Sequence, residues 1–328
     1  MTHAPALSSI ITPDHLAEFA TEHYDLPQPL SCRILKTGMN HSYLLRTPKE
    51  RYVLRVYYKD WRTQTEIAEE LRLINTLKAG GIRVAFPIPD TWGNFIQRIM
   101  ACEGERYVVL FSYAPGESVR QPSETACHQL GLTMARMHQI TLGKSVRRIS
   151  YDADTLIRQA YELACSRFSE SLPEMRYFRR AAARIEAEFG AADPTDLRYG
   201  VVHLDLWYEN MKIRQDSEIT IFDFDNCGNG WLFLDIAYSL MLLFRTEPDR
   251  EIYRRRSDHL LRAYGSICPI SAEEMRLLPF GGLAIWLHYT GIHVRRFDDF
   301  SNQFFSETFL KFWIDTVNRW MKFNDITI

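Results

Sequence analysis

The sequence predicts an α+β fold in two unequal lobes: a small antiparallel-β N-terminal lobe with one helix, and a larger, mainly α-helical C-terminal lobe. Strand-type segments rich in β-branched and aromatic residues fill the first third of the chain, and helical periodicity dominates the rest. The change comes near Ser112–Gly116, where Pro115 and Gly116 form a turn signal at the end of a strand. We therefore expect an N-terminal lobe at residues 1–112 and a C-terminal lobe at residues 113–328.

The N-terminal lobe is expected to contain three strands, one helix and two further strands. The helix, Thr63–Ala79, carries apolar residues at spacings of four, three and three, which place them on one face. It ends at Gly80, a residue type that commonly follows the last turn of a helix. The predicted strands are Leu30–Lys36, Ser42–Arg46, Tyr52–Tyr57, Asn94–Met100 and Arg106–Tyr113.

From Ser123 onward the pattern favours helices interrupted by short strands. Leu130, Met134 and Met137 share one face of the first of these helices. Further helices are predicted at 152–167, 173–189, 235–246, 250–264, 280–297 and 303–322, and short strands at Gly200–Val202, Met211–Ile213 and Glu218–Phe222.

Composition restricts the class of protein. Hydrophobic residues make up 46% of the 328 residues and charged residues 24%, which is typical of a globular protein and excludes a disordered chain. The 39 Lys and Arg residues against 41 Asp and Glu residues give a net charge of −2, so the chain has no general attraction for nucleic acid or an anionic membrane. We expect neither as a partner, and the oligomeric state stays open.

The cysteines and the apolar runs of the sequence indicate in which cellular compartment the protein is expected. The six cysteines include no C-x-x-C pair and no metal-type spacing with histidine, which indicates free thiols in a reducing compartment. No signal-peptide pattern occurs at the N-terminus. The longest apolar run, Trp231–Phe244, has 14 residues and contains Asp235, so it is too short and too polar to span a bilayer. We therefore expect a cytoplasmic protein.

Two acidic segments carry the chemistry. Asp205 and Asn210 lie five residues apart in a loop after a short apolar strand, and Asp223 and Asp225 follow a hairpin. Because the hairpin returns the second segment to the loop, Asp205, Asn210 and Asp223 can converge. Their oxygen atoms suit Mg²⁺ and leave one carboxylate over, which is the set of groups that phosphoryl transfer needs.

These segments resemble those of the aminoglycoside phosphotransferase/choline kinase superfamily, which is related to the protein kinases. His203, Asp205 and Asn210 match its H-x-D-x-x-x-x-N pattern, and Asp223 and Asp225 match its D-x-D pattern. The resemblance implies a two-lobed protein-kinase-like fold. It also implies that Asp205 is the catalytic base and that Asn210 and Asp223 hold Mg²⁺, with Asp225 as a second metal ligand or a substrate contact.

Other segments resemble the nucleotide-binding parts of the same superfamily. The stretch from Gly38 to Tyr43 looks like its phosphate-covering hairpin, the strand around Arg55 like the one that supplies a phosphate-binding cation, and Glu70 like that cation's acidic partner. Glu66 and Glu69 are rivals for this last role. The resemblance implies that ATP, with GTP left open, is bound by Gly38, Asn40, Ser42, Arg55, Glu70 and the hinge-like residues Ser112 and Tyr113.

The sequence departs from the superfamily pattern at three places. Arg55 stands where lysine is usual, and arginine offers a planar fork rather than a point charge. Leu204 replaces a glycine between the histidine and the aspartate, and Trp207-Tyr208-Glu209 replaces H-P-G in the loop. The last two changes affect the part of the loop that faces the acceptor, so substrate contacts cannot be transferred from the superfamily.

Candidate acceptor contacts are Trp207 and Tyr208 in the loop and three residues of a C-terminal helix. On that helix Trp286 and Tyr289 share a face, and Arg295 can supply a cationic rim for a carboxylate or phosphate. The alternative interpretation is an aromatic core helix whose arginines pair with Asp298 and Asp299. The segment resembles the branch with homoserine-kinase-like enzymes and bacterial stress-response Ser/Thr kinases.

The sequence therefore predicts an enzyme, a kinase that uses ATP and Mg²⁺ and phosphorylates a hydroxyl group of a small molecule. An amino alcohol, a hydroxy amino acid, a sugar and an aminoglycoside are all open as acceptors. Two alternatives remain. One is a Ser/Thr protein kinase of the stress-response type, and the other is a nucleotide-binding pseudokinase, which the arginine at position 55 suggests.

Overall fold

The computed structural model describes residues 4–299, 302 and 304–328. The chain forms two compact units, Met1–Ala114 and Pro115–Ile328. Residues 1–3 of the expected N-terminal lobe, and residues 300, 301 and 303 of the expected C-terminal lobe, lie outside the described residues; the last of these is the start of the predicted helix 303–322.

The first unit is built on one antiparallel sheet of six strands in the order β1-β2-β3-β6-β4, with β5 pairing with β6. Leu54 and Leu110, adjacent in the register of β3 and β6, are fully buried on its inner face. Strands β2 and β6 are mostly buried, whereas β1, at the edge of the sheet, is mostly exposed. The strands are β1 Ser31–Thr37, β2 His41–Arg46, β3 Arg51–Val56, β4 Pro87–Ile88, β5 Gln97–Ala101 and β6 Gly104–Ser112.

The described residues of this unit form two α-helices, α1 (Pro13–His23) and α2 (Gln64–Ala79), so the expectation of one helix was wrong. A capping box between Thr63 and Glu66 starts α2. Helix α1 buries only Leu16, Phe19 and Ala20, packed with the sheet residues in the same core. Its apolar stripe is too short to be recognised by periodicity, and the sheet stabilises it instead.

The second unit is mainly helical, which confirms the predicted fold class. Its helices are α3 Glu124–Thr141, α4 Gln159–Cys165, α5 Pro173–Gly190, α6 Phe233–Thr246, α7 Arg250–Gly265, α8 Ala272–Arg295 and α9 Glu307–Phe323, with a π-helical turn Asp154–Arg158 before α4.

In the part of this unit that the structure describes, five short strands form two small sheets. β9 and β10 make an antiparallel hairpin. β11 lies between β7, to which it is parallel, and β8, to which it is antiparallel. Two of these five strands, β7 and β11, were not predicted from the sequence, because strands of two and four residues show little periodicity. The strands are β7 Ser150–Tyr151, β8 Tyr199–Val202, β9 Met211–Arg214, β10 Glu218–Ile221 and β11 Gly228–Trp231.

The apolar run that ends at Phe244 forms α6, which is buried along almost its whole length against α8. Gly281 and Gly282 of α8 allow this close approach, because a Cβ at Gly281 would lie 2.7 Å from the ring of Phe233. Within the described residues, no helix combines the length and apolarity needed to cross a membrane.

The contact between α3 and α7 is equally close. At Gly131 of α3, a Cβ would lie 2.2 Å from the carbonyl oxygen of Leu260 of α7. Real Cβ atoms do not approach backbone oxygens so closely, so the helices can pack this way only because position 131 is glycine.

We predict that Gly131→Ala destabilises the protein by about 1–3 kcal/mol, because the added methyl group forces α3 and α7 apart. Gly190→Ala is the matched control: it also lies in a helix, and nothing is within 4 Å of a Cβ there. That change should be neutral or stabilise by up to about 1 kcal/mol. Urea denaturation of both variants measures the difference, and equal stabilities would contradict the prediction.

Candidate active site

A buried aspartate at the start of α6 anchors the loop that contains Asp205. Asp235 lies in the first turn of α6 and is fully buried. Its Oδ1 accepts the backbone N–H of Leu204 at 2.7 Å, and its Oδ2 accepts the backbone N–H of His203 at 2.9 Å. His138 of α3 contacts the same Oδ2 through Nε2 at 3.0 Å, and Tyr264 of α7 contacts Nδ1 of His138 at 2.7 Å.

The ionised form of Asp235 is favoured in this environment. Burial by itself would raise the pKa of Asp235, but the hydrogen bonds from His138 and from the backbone N–H of His203 lower the pKa below its usual value. A carboxylate near the N-terminus of a helix is also stabilised by the helix dipole. The carboxylate therefore keeps its three hydrogen bonds, and the backbone at His203 and Leu204 is held in one position.

His203 holds the loop from the other side. Its Nδ1 accepts the backbone N–H of Asp205 at 3.2 Å, so the proton is assigned to Nε2, which faces the carbonyl oxygen of Phe222 at 3.2 Å. Burial lowers the pKa of His203. A second proton, on Nδ1, would in addition face the N–H of Asp205. The geometry therefore makes His203 a neutral, structural histidine.

Leu204, between these residues, has a left-handed backbone with φ of 63°. This conformation is strained for a residue with a branched side chain, at a cost of about 1–3 kcal/mol. The bond from its N–H to Asp235 and the full burial of its side chain compensate for the strain. A leucine can thus occupy a position where the resemblance leads one to expect glycine.

Asn210 fixes the carboxylate of Asp205. Its Nδ2 donates to the Oδ2 of Asp205 at 2.7 Å and to the carbonyl oxygen of Asp205 at 2.9 Å. The backbone N–H of Asn210 also donates to the carbonyl oxygen of Trp207 at 2.9 Å, which closes the loop on itself. Because Nδ2 is used in this way, Oδ1 is the atom that Asn210 can offer to a metal ion.

The hairpin of β9 and β10 brings Asp223 to the same place. Ile221 pairs with Met211, and the N–H of Phe222 donates to the carbonyl oxygen of Asn210 at 3.0 Å, so Asp223 follows directly beside Asn210. Asp223 is a half-buried residue, and its backbone has a left-handed conformation with φ of 65°. This strained conformation is one that aspartate tolerates better than most residues.

Asp225 lies in the 3-10 turn Phe224–Asn226, and only 2% of its surface is exposed. The guanidinium of Arg148 donates to the backbone carbonyl oxygens of Asp225 and Cys227 and fixes this turn. The side chain of Asp225 is therefore less accessible than that of Asp223.

The donor set fits a magnesium ion that shares its coordination with a ligand. Within the described part of the chain, no group of three or more His, Cys, Asp and Glu side chains could hold a metal ion without help. A divalent ion would need the amide oxygen of Asn210, the carboxylate of Asp223, and oxygens from water or phosphate. Mg²⁺ is usually bound in this way, through one or two carboxylates and a substrate phosphate.

In the first unit, Arg55 pairs with Glu70. Both side chains are buried, and Nη1 of Arg55 lies 3.0 Å from Oε1 of Glu70, whose Oε2 accepts the hydroxyl of Tyr57 at 3.1 Å. The two rival glutamates are used elsewhere: Glu66 caps α2, and Glu69 pairs with Arg72 at 2.7 Å.

The other residues expected to bind nucleotide lie along the same sheet. Ser42 is adjacent to Arg55 in the register of β2 and β3. Gly38 and Asn40 form the β1–β2 turn, in which the N–H of Gly38 donates to the carbonyl oxygen of Asn40 at 3.2 Å. Ser112 donates its backbone N–H to Phe86 at 2.9 Å, and the ring of Tyr113 lies 4.0 Å from the guanidinium of Arg51.

Of the expected acceptor contacts, Tyr289 lies near Asp205. Asn226 donates to its hydroxyl at 3.0 Å, and its ring stacks on Tyr238 of α6 at 5.5 Å. Burial and the charge of Asp205 raise the pKa of Tyr289 well above its usual value. Tyr289 is therefore a neutral phenol beside the carboxylate.

The remaining expected acceptor contacts lie in different places. Trp207 and Tyr208 follow Asp205 in the loop and line a pocket, and Trp286 lies one turn before Tyr289 in α8 with Arg245 over its ring at 5.1 Å. Arg295 is exposed and lies six residues after Tyr289, which places it on a different face of α8. Its neighbour Arg296 pairs with Asp299 at 3.0 Å, as the core-helix alternative predicts.

Three residues around Asp205 were not predicted from the sequence. Tyr238 belongs to α6, and Arg120 and Arg245 line a pocket next to Trp207 and Tyr208. None of them is part of a spacing pattern that marks a site. Only the packing of the helices brings them together.

The family follows from a comparison of the whole chain. Residues 32–270 match the model of the family described as "Phosphotransferase enzyme family". The chain belongs to this family. The match covers the Asp205 loop, the Asp223 hairpin and the Arg55–Glu70 pair, and it confirms the resemblance that the motifs indicate. The chain is therefore an enzyme, a phosphotransferase.

Relatives of this phosphotransferase act on different molecules. A homoserine kinase of Bradyrhizobium diazoefficiens is 28% identical over 275 residues, 84% of this chain and 81% of the relative. A microcompartment-associated aminopropanol kinase has the same fold, with a TM-score of 0.74, 21% identity and coverage of 93% of this chain and 94% of the other. An amicoumacin kinase in complex with AMP-PNP, Ca²⁺ and Ami has a TM-score of 0.72 at 21% identity, with 94% and 93% covered.

We predict that the phosphotransferase loses stability as pH falls below about 6.5, because the unfolded chain binds a proton that folded His203 resists. The contribution of His203 is fully present above this pH and disappears as pH falls towards its lowered folded pKa, with a slope of at most about 1.4 kcal/mol per pH unit. Urea denaturation between pH 5.5 and 8 measures it.

In this experiment His203→Asn should be less stable than wild type at pH 8 but should lose less stability on acidification. Asparagine can still accept the N–H of Asp205, yet it does not titrate. His15→Asn, at an exposed histidine, should keep the wild-type slope. Parallel slopes for wild type and His203→Asn would show that His203 does not resist protonation.

Proposed function

We propose that this phosphotransferase transfers the γ-phosphate of ATP, with Mg²⁺, to a hydroxyl group of a small molecule. The observation that carries the proposal is the pair Asp205 and Asn210, fixed by two hydrogen bonds beside Asp223. Relatives described as homoserine, aminopropanol and amicoumacin kinases support a small hydroxyl-bearing acceptor.

Asp205 is proposed to act as the base. The bond between the acceptor oxygen and the γ-phosphorus forms while the bond from that phosphorus to the β–γ bridging oxygen breaks, and the acceptor proton passes to the carboxylate of Asp205. Asn210 and Asp205 are held in register by the hydrogen bond at 2.7 Å, so the carboxylate needs no reorientation. Transfer of this kind depends chiefly on positioning and charge stabilisation.

Asn210 and Asp223 are proposed to hold Mg²⁺, and Asp225 is proposed as a weaker second ligand or an acceptor contact. When bound, the ion would neutralise charge on the phosphate oxygens. The left-handed backbone of Asp223 and its place beside Asn210 in the hairpin support this assignment. Asp225 is assigned the lesser role because its side chain is almost fully buried.

The first unit is proposed to bind the nucleotide. Arg55, held by Glu70, would contact phosphate oxygens, with Gly38, Asn40 and Ser42 at the turn that covers them. Ser112 and Tyr113 would contact adenine. Because the N–H of Ser112 is donated to Phe86, we assign the larger part of this contact to Tyr113.

A small acceptor is favoured over a protein. Between Asp225 and Asp235 the chain forms β11, which pairs with both β7 and β8, and α6 begins at Phe233. This stretch leaves little room for the segment on which protein kinases bind a peptide. The buried pair of Arg55 and Glu70 also argues against a pseudokinase, because an arginine in this position keeps a cation for phosphate.

We predict that Asp205→Asn lowers turnover by about 10²- to 10⁴-fold, the usual contribution of a general base. Release of ADP with and without a panel of acceptors measures turnover, with ATP and GTP compared. Thermal stabilisation by ATP and Mg²⁺ should persist in the variant, because the nucleotide contacts are unchanged.

Asp315→Asn, at an exposed aspartate of α9, is the control and should behave as wild type. Nucleotide binding with no turnover that depends on Asp205 would favour a pseudokinase. Absence of stabilisation by any nucleoside triphosphate would refute the proposed function as a whole.

We predict that Arg55→Met combined with Glu70→Gln raises the KM for ATP by about 10- to 100-fold, because a charged hydrogen bond to phosphate is lost. The double change leaves no buried carboxylate unpaired, so the sheet should still fold, as circular dichroism would show. Arg55→Lys should retain part of the affinity. Arg33→Ala, at an exposed arginine of β1, is the control. An unchanged KM in the double variant would remove Arg55 from the site.

A further inference from the structure

Two arginines line one pocket beside the Asp205 loop. Arg120 and Arg245 face a pocket with Gln121, Thr246 and Pro248. An adjoining pocket shares Arg120 and Thr246 and is lined by Trp207 and Tyr208 of the loop. Both arginines are exposed, so a ligand can reach their guanidinium groups without unfolding of any helix or strand.

Neither arginine has a carboxylate partner within ion-pair distance among the described residues. The contrast with the nearby helix α7 is clear, since Arg254, Arg255 and Arg256 each pair with a glutamate. Arg245 instead lies over the ring of Trp286 at 5.1 Å. Stacking of this kind orients the planar fork of an arginine and leaves its N–H groups to bind an anion.

The arginine pocket is connected to Asp205 through aromatic side chains. Trp286, under Arg245, lies one turn from Tyr289 on α8, and Tyr289 stacks on Tyr238. The hydroxyl of Ser239, which lines the adjoining pocket, donates to the carbonyl oxygen of Leu206 at 2.7 Å, so a hydrogen bond joins the pocket wall to the loop.

Acidic residues also lie near this region. The hydroxyl of Tyr208 donates to Glu209 at 3.3 Å. Glu209 and Asp205 offset part of the positive charge, so the pocket is not simply basic. The two arginines therefore define a local anion site next to carboxylates rather than a broad positive surface.

We propose that the acceptor carries an anionic group, a carboxylate or a phosphate, that Arg120 and Arg245 bind while its hydroxyl faces Asp205. The proposal rests on the proposed function and specifies its substrate class. Planar guanidinium groups bind such oxyanions through paired hydrogen bonds. Cationic amino alcohols and aminoglycosides would instead meet two arginines in the pocket and be disfavoured.

The test compares pairs of acceptors that differ in the anionic group, with ADP release as the readout at fixed ATP and Mg²⁺. Serine is compared with ethanolamine, homoserine with 3-aminopropanol, and glycerol 3-phosphate with glycerol. The proposal expects at least a tenfold higher kcat/KM for the anionic member of one or more pairs. The first two pairs test a carboxylate, and the third tests a phosphate.

For the best anionic acceptor, Arg120→Gln and Arg245→Gln should each raise KM by about 10- to 100-fold, with kcat and the KM for ATP little changed. Arg245→Lys should restore part of the loss. Arg179→Gln, at an exposed arginine of α5 on the same unit, should have no effect.

Equal or better use of the neutral and cationic members, or no response to any anionic member, overturns the proposal. So does an unchanged KM in both arginine variants. ATP hydrolysis without acceptor, and its dependence on Asp205, reports separately on the proposed function. An active enzyme that prefers ethanolamine would therefore refute only the anion site.

Discussion

The structure of the second unit depends on one buried carboxylate. Asp235 connects α6, α3 and the Asp205 loop through hydrogen bonds from His138 and from the backbone of His203 and Leu204. Removing one partner of a buried pair of this kind typically costs about 3–5 kcal/mol, because the other partner is left without compensation. The position of Asp205 is therefore tied to the packing of the helical core.

Short hydrogen bonds and local backbone geometry position the other residues of the candidate site relative to Asp235. The strained backbone of Leu204 turns Asp205 out of the strand, Asn210 holds its carboxylate, and the hairpin delivers Asp223 to Asn210. Each contact is local, and each relies on the one before it. A site that is preorganised in this way spends little free energy on reordering when phosphoryl transfer takes place.

Much of this could be predicted from the sequence, and the failures have physical causes. The strand-rich first part, helix α2 with its cap and the hairpin that carries Asp223 follow from period, turn residues and capping chemistry. Helix α1 and strands β4, β7 and β11 were missed because they are short and owe their stability to tertiary packing. The choice of Glu70 over Glu66 and Glu69 needed the orientation of α2 against the sheet.

By itself the sequence determined the family, the fold class and the residues proposed for phosphoryl transfer, because fixed spacings in a loop and a hairpin encode them locally. Only the tertiary structure decided which distant side chains surround them: His138, Tyr238 and the arginine pocket with Arg120 and Arg245. These residues lie far apart in the chain and follow no period. Their proximity is a product of helix packing, and the proposed choice of acceptor depends on it.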